Sequence, residues 1–172
     1  MIGRAWIAFA AMLIFAGNAQ AQVNWHTVEG PNRIFTVEMP AKPTATTENS
    51  KSGGGTAFGS LSWSLDHGGR TFMIQTATFP ADVDVKNPNT NMKLILDAGG
   101  KHLETRKWDK VSWITFQGLP AAEAIGKMRG NLEFRNILVM KGRQFYSLGF
   151  AGPLGSLRSI DADRFFNSFH IR

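Results

Sequence analysis

The chain reads as an α+β protein built on an antiparallel β-sheet of six to seven strands flanked by helices, and three features lead there. Short apolar stretches of period two recur from residue 34 onward, separated by Gly and Asn turns, which is the pattern of hairpins and meanders. Only two segments carry helical spacing, one in mid-chain and one at the end, so strands and helices are segregated rather than alternating. No internal repeat is present, and residues 22–172 amount to one domain, enough chain to bury about two thirds of its unfolded surface without cross-links.

The first element is a leader. Arg4 precedes the apolar run 5–16 and then Ala19-Gln20-Ala21, so residues 1–21 read as a signal peptide cleaved before Gln22. The twelve residues of that run would span roughly 18 Å as a helix, short of a hydrocarbon core of about 30 Å, so no transmembrane segment is expected after cleavage. The mature protein is therefore expected to be periplasmic or secreted. Cysteine is absent, which excludes disulfides, thiolate metal sites, a cysteine nucleophile and a lipid anchor at the cleavage point.

Residues 34–39 place Phe35, Val37 and Met39 on one side and Thr36 and Glu38 on the other, a half-buried strand stopped by Pro40. Residues 42–55, with Pro43, several hydroxyl residues and Gly53-Gly54-Gly55, read as a mobile loop. A hairpin follows, with arms 56–65 and 70–79 around Asp66-His67-Gly68-Gly69. Asn89 or Thr90 can cap a helix through Met92, Ile95 and Leu96, which Gly99-Gly100 weakens and is expected to end. Residues 110–117, 121–129, 132–141 and 143–151 make a meander of four strands joined at Gly130-Asn131 and Lys141-Gly142-Arg143. The last element, 155–169, reads as a helix capped by Ser156, with Leu157, Ile160, Phe165 and Phe166 as its apolar stripe.

Several of these segments resemble the Mog1/PsbP-like group, which includes bacterial domains of unknown function and the DcrB lipoproteins. They are Phe35-Thr36-Val37-Glu38-Met39-Pro40, Phe116-Gln117-Gly118-Leu119-Pro120, Gly142-Arg143-Gln144-Phe145-Tyr146 and Arg164-Phe165-Phe166-Asn167-Ser168-Phe169. The resemblance covers most of residues 30–172, and its motifs are packing and turn motifs. It implies an αβα sandwich used as a non-catalytic accessory or binding module, as PsbP proteins assist photosystem assembly and Mog1 binds a small GTPase. It carries over no functional residue, and this chain lacks the cysteine to which DcrB-like members attach lipid.

Searching for chemistry turns up no template that holds. There is no Gly-x-Ser-x-Gly elbow and no His-Glu-x-x-His pair, and Gly53-Gly54-Gly55 is not followed by Lys-Ser/Thr at phosphate-loop spacing. Asp82 and Asp84 are too few ligands for calcium, which takes about six to eight oxygens. Asp161 and Asp163 sit where the last helix begins and its dipole favours negative charge. His26, His67, His102 and His170 are never three or four residues apart. The aromatics, Trp63, Phe72, Trp108, Trp113 and Phe145 among them, read as sandwich core. No metal, cofactor or enzymatic activity is expected.

The formal net charge is +6, and cleavage removes one basic residue, Arg4, and no acidic one. Anionic partners are favoured, but nucleic acid is excluded by the export signal and by basic residues spread from Arg33 to Arg172. The densest basic group is Lys101, Arg106, Lys107 and Lys110, with His102 inside it and Glu104 and Asp109 interrupting. These four are the expected contact of an exported non-enzymatic accessory or binding protein, with an envelope protein or an anionic membrane surface as partner. The alternative is a periplasmic carrier of a small apolar or anionic ligand held between sheet and helix. N-terminal sequencing of the exported protein is expected to begin at Gln22, and recovery of Met1 in a membrane fraction would refute the cleavage.

Overall fold

Two sheets, not one, organise the chain. The structure is a computed structural model that describes residues 24–172, so the expected leader lies outside the described residues. The elements are β1 (His26–Glu29), β2 (Phe35–Met39), β3 (Thr44–Lys51), β4 (Ala57–His67), β5 (Arg70–Thr78), α1 (Pro88–Gly100), β6 (Lys110–Phe116), β7 (Leu119–Met128), β8 (Leu132–Lys141), β9 (Gln144–Pro153), α2 (Ile160–Asn167) and β10 (His170–Ile171). A seven-stranded antiparallel sheet has the order β3-β4-β5-β9-β8-β7-β6, and β1-β2-β10 form a separate three-stranded sheet.

The alternation along β5 shows how sequence becomes layers. Phe72 and Ile74 point to one face, where they pack with Val139, Tyr146, Leu148 and Phe150 against β2 and α2. Ala77 points to the other, where it joins Ala122, Leu138, Met140 and Phe145 under Met92 and Leu96 of α1. Side chains alternate with period two, so each central strand feeds both cores and reads as nearly continuous apolar sequence. The chain is thus α+β, mostly antiparallel sheet, with helical cover that is modest on both faces.

Phe35 is the hub of the first core. Its ring lies edge-on to Trp63 at 5.4 Å and to Tyr146 at 6.1 Å, and tilted against Phe169 at 5.7 Å. A Cβ on Gly30 would come within 2.5 Å of that ring, so the turn entering β2 needs glycine for close approach. α2 is pinned to this core by charge as well as by Phe165 and Phe166. Arg135, paired with Glu123 at 2.7 Å, lays its guanidinium 4.2 Å over the Phe166 ring. Arg164 bonds Glu38 at 2.8 Å and stacks 4.5 Å over Trp25.

The hairpin and the four-strand meander form as the sequence suggests, with positive φ at Gly68-Gly69 and at Gly130-Asn131 where the two-residue turns demand it. Several expectations are corrected. Residues 42–55 are not a loop: β3 occupies Thr44–Lys51, and the glycines make only its turn into β4. As an edge strand with all eight residues exposed, it buries no face and so shows no apolar alternation. The strand at 35–39 does not join the main sheet, and β1 and β10 flank it instead. The mid-chain helix starts at Pro88 behind Asn87, not at a cap from Asn89 or Thr90.

The final helix is shorter than expected. Residues Ser156–Arg158 form a separate 3-10 turn, and the cap of α2 is Ser159, whose Oγ accepts the Ala162 N–H at 3.2 Å. Ile160 is 86% exposed and leaves the apolar stripe. Ser156 instead tucks its Oγ against Gly152, buried and without a hydrogen-bond partner. Asp161 and Asp163 do lie in the first turn of α2. The two serines are expected to respond oppositely to alanine: Ser159→Ala should cost about 1 kcal/mol in urea unfolding, as a lost cap does, while Ser156→Ala should be neutral or stabilising because it removes an unpaired buried hydroxyl.

Candidate functional site: the basic end of the sheet

The connection from α1 to β6 carries Lys101, Arg106 and Lys107 of the basic residues singled out in the sequence, and Lys110 opens β6 directly after it. The connection folds back along β7: Glu104 N–H bonds the Lys127 carbonyl and Asp109 N–H the Ile125 carbonyl, both at 2.9 Å. Trp108 is its anchor. Its Nε1 donates to the Leu96 carbonyl at 2.8 Å, and its ring lies 5.7 Å from Phe134.

Glycines make room for this anchor. A Cβ on Gly99 or Gly100 would sit 3.4 Å from Trp108, and the Lys107 Cα is 3.6 Å from the Gly100 position. The glycine pair therefore ends α1 where Trp108 needs to approach, and it sets Lys107 beside the helix end that leads into Lys101. Gly126 on β7 is tighter still, with Leu103 Cδ1 at 2.5 Å from any Cβ placed there. Leu103 is buried in this contact while its neighbours are exposed.

Lys101, Arg106, Lys107 and Lys110 are all exposed and form no ion pair among the described residues. Arg33, Arg70, Lys93, Arg135 and Arg164 each meet a carboxylate, whereas Lys42, Lys51, Lys86, Lys141, Arg143, Arg158 and Arg172 meet none, so what marks this connection is the density of its exposed cations. The fold adds two residues that sequence proximity did not suggest. Lys127, whose carbonyl holds Glu104, and Arg129 just beyond it are exposed at the same end. Only strand register brings them there, across about twenty residues of chain.

The remaining sequence candidates are dispersed. Ser52 donates to the Asp82 carboxylate, which holds that group below its ordinary range, and Asp84 accepts the Lys86 N–H at 2.9 Å. These are loop ties. Among the described residues no three His, Asp or Glu side chains stand together as metal ligands. Trp113, expected in the core, is 48% exposed on the β6 edge. The layers under α1 are filled by Met92 and Leu96, and an open groove of about 200 Å³ on the sheet is lined by Glu48, Trp63, Met73 and Phe134 together with Ser62, Gln75 and Ser147. No helix among the described residues is long and apolar enough to cross a membrane.

This arrangement is the fold of PsbP. The solution structure of cyanobacterial PsbP (CyanoP) from Synechocystis sp. PCC 6803 superposes with a TM-score of 0.54 over 92% of this chain and 99% of that one, at 8% identity. A crystal structure from Bacteroides thetaiotaomicron VPI-5482 aligns with a TM-score of 0.49 at 14% identity, over 85% of this chain and 48% of the other. No protein-family model matches the sequence, and no curated protein does. The likeness is one of fold.

Because Gly126 seats Leu103 and Trp108 together, Gly126→Ala is expected to lower stability by about 1–3 kcal/mol in urea unfolding, the range of core overpacking. Leu103→Ala added to it should recover part of that loss, and strictly additive losses would show that the two sites do not touch.

Proposed function

We propose that this chain is an exported, non-enzymatic accessory or binding protein of the bacterial cell envelope, and that the basic end of its sheet is the contact. On this reading the domain is an αβα sandwich of the Mog1/PsbP-like kind, delivered outside the cytoplasm by residues 1–21. The observation that carries the proposal is the set Lys101, Arg106, Lys107 and Lys110, joined by Lys127 and Arg129, left without carboxylate partners at one end of the fold. Unpaired cations on a well-anchored loop orient and speed the approach of an anionic surface more than they hold it. A nucleophile, base and orienting group within reach of one another, the minimum for most hydrolytic chemistry, is not what these side chains offer.

A carrier role is the second reading, and the groove over Ser62, Gln75 and Ser147 favours it. Trp63, Met73 and Phe134 beside its hydroxyl and amide groups suit a small, largely apolar molecule, and Glu48 in the same lining disfavours an anionic one.

Native mass spectrometry of the mature protein released gently from its own envelope extract separates the two. A protein adduct that is kept at about 50 mM salt and lost at about 500 mM is expected, since screening shortens the reach of exposed charges over that range. Replacing Lys101, Arg106, Lys107 and Lys110 with Glu should weaken that adduct at least tenfold. An adduct indifferent to both salt and charge reversal would remove the basic end as the contact, and a bound small mass would promote the carrier.

A further inference from the structure

The two edges of the main sheet are unlike. β3 forms one edge, and its exposed residues Thr44–Lys51 carry small hydroxyls, Glu48 and Lys51, with Pro43 just ahead. Polar and charged edges of this kind discourage pairing with other chains. β6 forms the other edge and pairs only with β7 among the described residues. From Val111 to Phe116 it holds neither charge nor proline, and β-branched and aromatic residues dominate it. That composition pairs readily. Val111 is 42% exposed and Trp113 48% exposed on the face that α1 packs against, beyond the part that the helix covers.

The turn into β7 shows which backbone groups are free. Gln117 and Gly118 both have positive φ, 50° and 79°, so this is a two-residue hairpin whose flanking pair, Phe116 and Leu119, exchanges both hydrogen bonds. Counting back by twos, Ile114 and Ser112 turn their N–H and C=O groups toward β7. Thr115, Trp113 and Val111 turn theirs outward. Consistently, Thr115 stands opposite Pro120, which has no N–H to give. The start of this free row adjoins the basic end, because Lys110 opens β6 and Lys107 lies just before the Trp108 anchor.

We propose that β6 is a docking edge for an extended acidic segment of a partner protein, which adds to the sheet as an eighth strand. Its backbone would pair with Val111, Trp113 and Thr115, its apolar side chains would lie over Val111 and Trp113, and its carboxylates would meet Lys107 and Lys110. Backbone pairing then supplies affinity and the flanking charges supply direction, the usual division in strand addition. A second copy of the mature chain is a poorer occupant, since it is itself basic, with a net charge of +5 once Arg4 is removed, and brings no acidic residue in β6. This inference deepens the reading of the basic end as a contact and rests on it.

The probe is a fluorescent peptide of alternating Val and Thr with Asp-Asp at both ends, titrated against the mature protein and read by anisotropy. Saturable binding is expected, at least tenfold weaker when Lys-Lys replaces Asp-Asp. N-methylating alternate peptide residues should lose at least tenfold for one edge of the peptide and almost nothing for the other, because only one edge would face β6. Val111→Pro removes an outward donor while leaving the β7 ladder intact, and should weaken binding by a similar factor with an unchanged circular dichroism spectrum. Equal loss from both methylation patterns would overturn the proposal, as would binding that ignores Val111→Pro in the folded variant. So would a concentration-dependent dimer abolished by Val111→Pro, which would give β6 to a second copy, or peptide-independent capture by phosphatidylglycerol vesicles that competes with the peptide. Salt-sensitive partner binding by the Val111→Pro variant at the parental strength would sink the edge while sparing the basic contact.

Discussion

Everything in the fold hangs on the pairing of β5 with β9. These strands join the hairpin half of the chain to the meander half, and their register sets Phe72 against Phe150, Ile74 against Leu148 and Thr76 against Tyr146. A slip of one residue would send each of these side chains to the opposite face, so the two cores fix the register from both sides at once. Polar ties hold the same register at one end. Thr76 Oγ1 donates to the Phe145 carbonyl at 2.9 Å, inside the sheet. The face carrying Phe72 needs a cover large enough for aromatics, and β2, α2 and Phe169 provide it around Phe35. The face carrying Ala77 has Ala122, Ala124, Leu138 and Met140 at its centre, with Phe145 and Trp108 beside them, and accepts a helix directly.

From that asymmetry the functional surface follows. α1 crosses only part of its face, and the chain must return from its end to the outer strand β6. It does so by wedging Trp108 against Gly99, Gly100 and Gly126, which leaves the charged residues on either side of the wedge facing water. A buried anchor between exposed lysines holds the backbone of a charged loop in place while its side chains stay free. Such a loop presents charge without the ordering cost that a flexible one would meet on binding. β6 is then left as the last strand, with Val111 and Trp113 nearly half exposed while Ile114 and Phe116 pack against the first core.

The sheet thereby treats its two edges differently. One ends in a strand of threonines, serine and charges that repels further pairing, and the other in a strand that invites it. The CyanoP structure has the same fold at 8% identity, so this architecture is compatible with two largely different sets of residues. What a given chain does with it depends on which edge and which loop carry charge, and those are local matters of side chain rather than of topology.

Much of this was legible in the residues themselves. Alternation located β2, the hairpin and all four meander strands, because each sets one row of side chains toward a core, fully buried in the central strands and half-buried in β6. The four basic residues are close in sequence, so their cluster could be read directly. Other features depend on contacts between distant segments. β3 was invisible because an edge strand exposed on both faces has no apolar period, and β1 and β10 because such short strands exist only by pairing with β2. The glycines at 99 and 100 look like a weakness in a helix until Trp108 is placed against them. Ser156 and Ser159 are equivalent as letters, and only the turn of the chain decides which one caps α2 and which is buried without a partner. The sequence by itself determined the class of fold, the strand faces and the cations. Tertiary structure alone decided that the stretch of β7 carrying Lys127 lies beside the basic connection and that β6 is the open edge, because both follow from strand order, which local propensity does not encode.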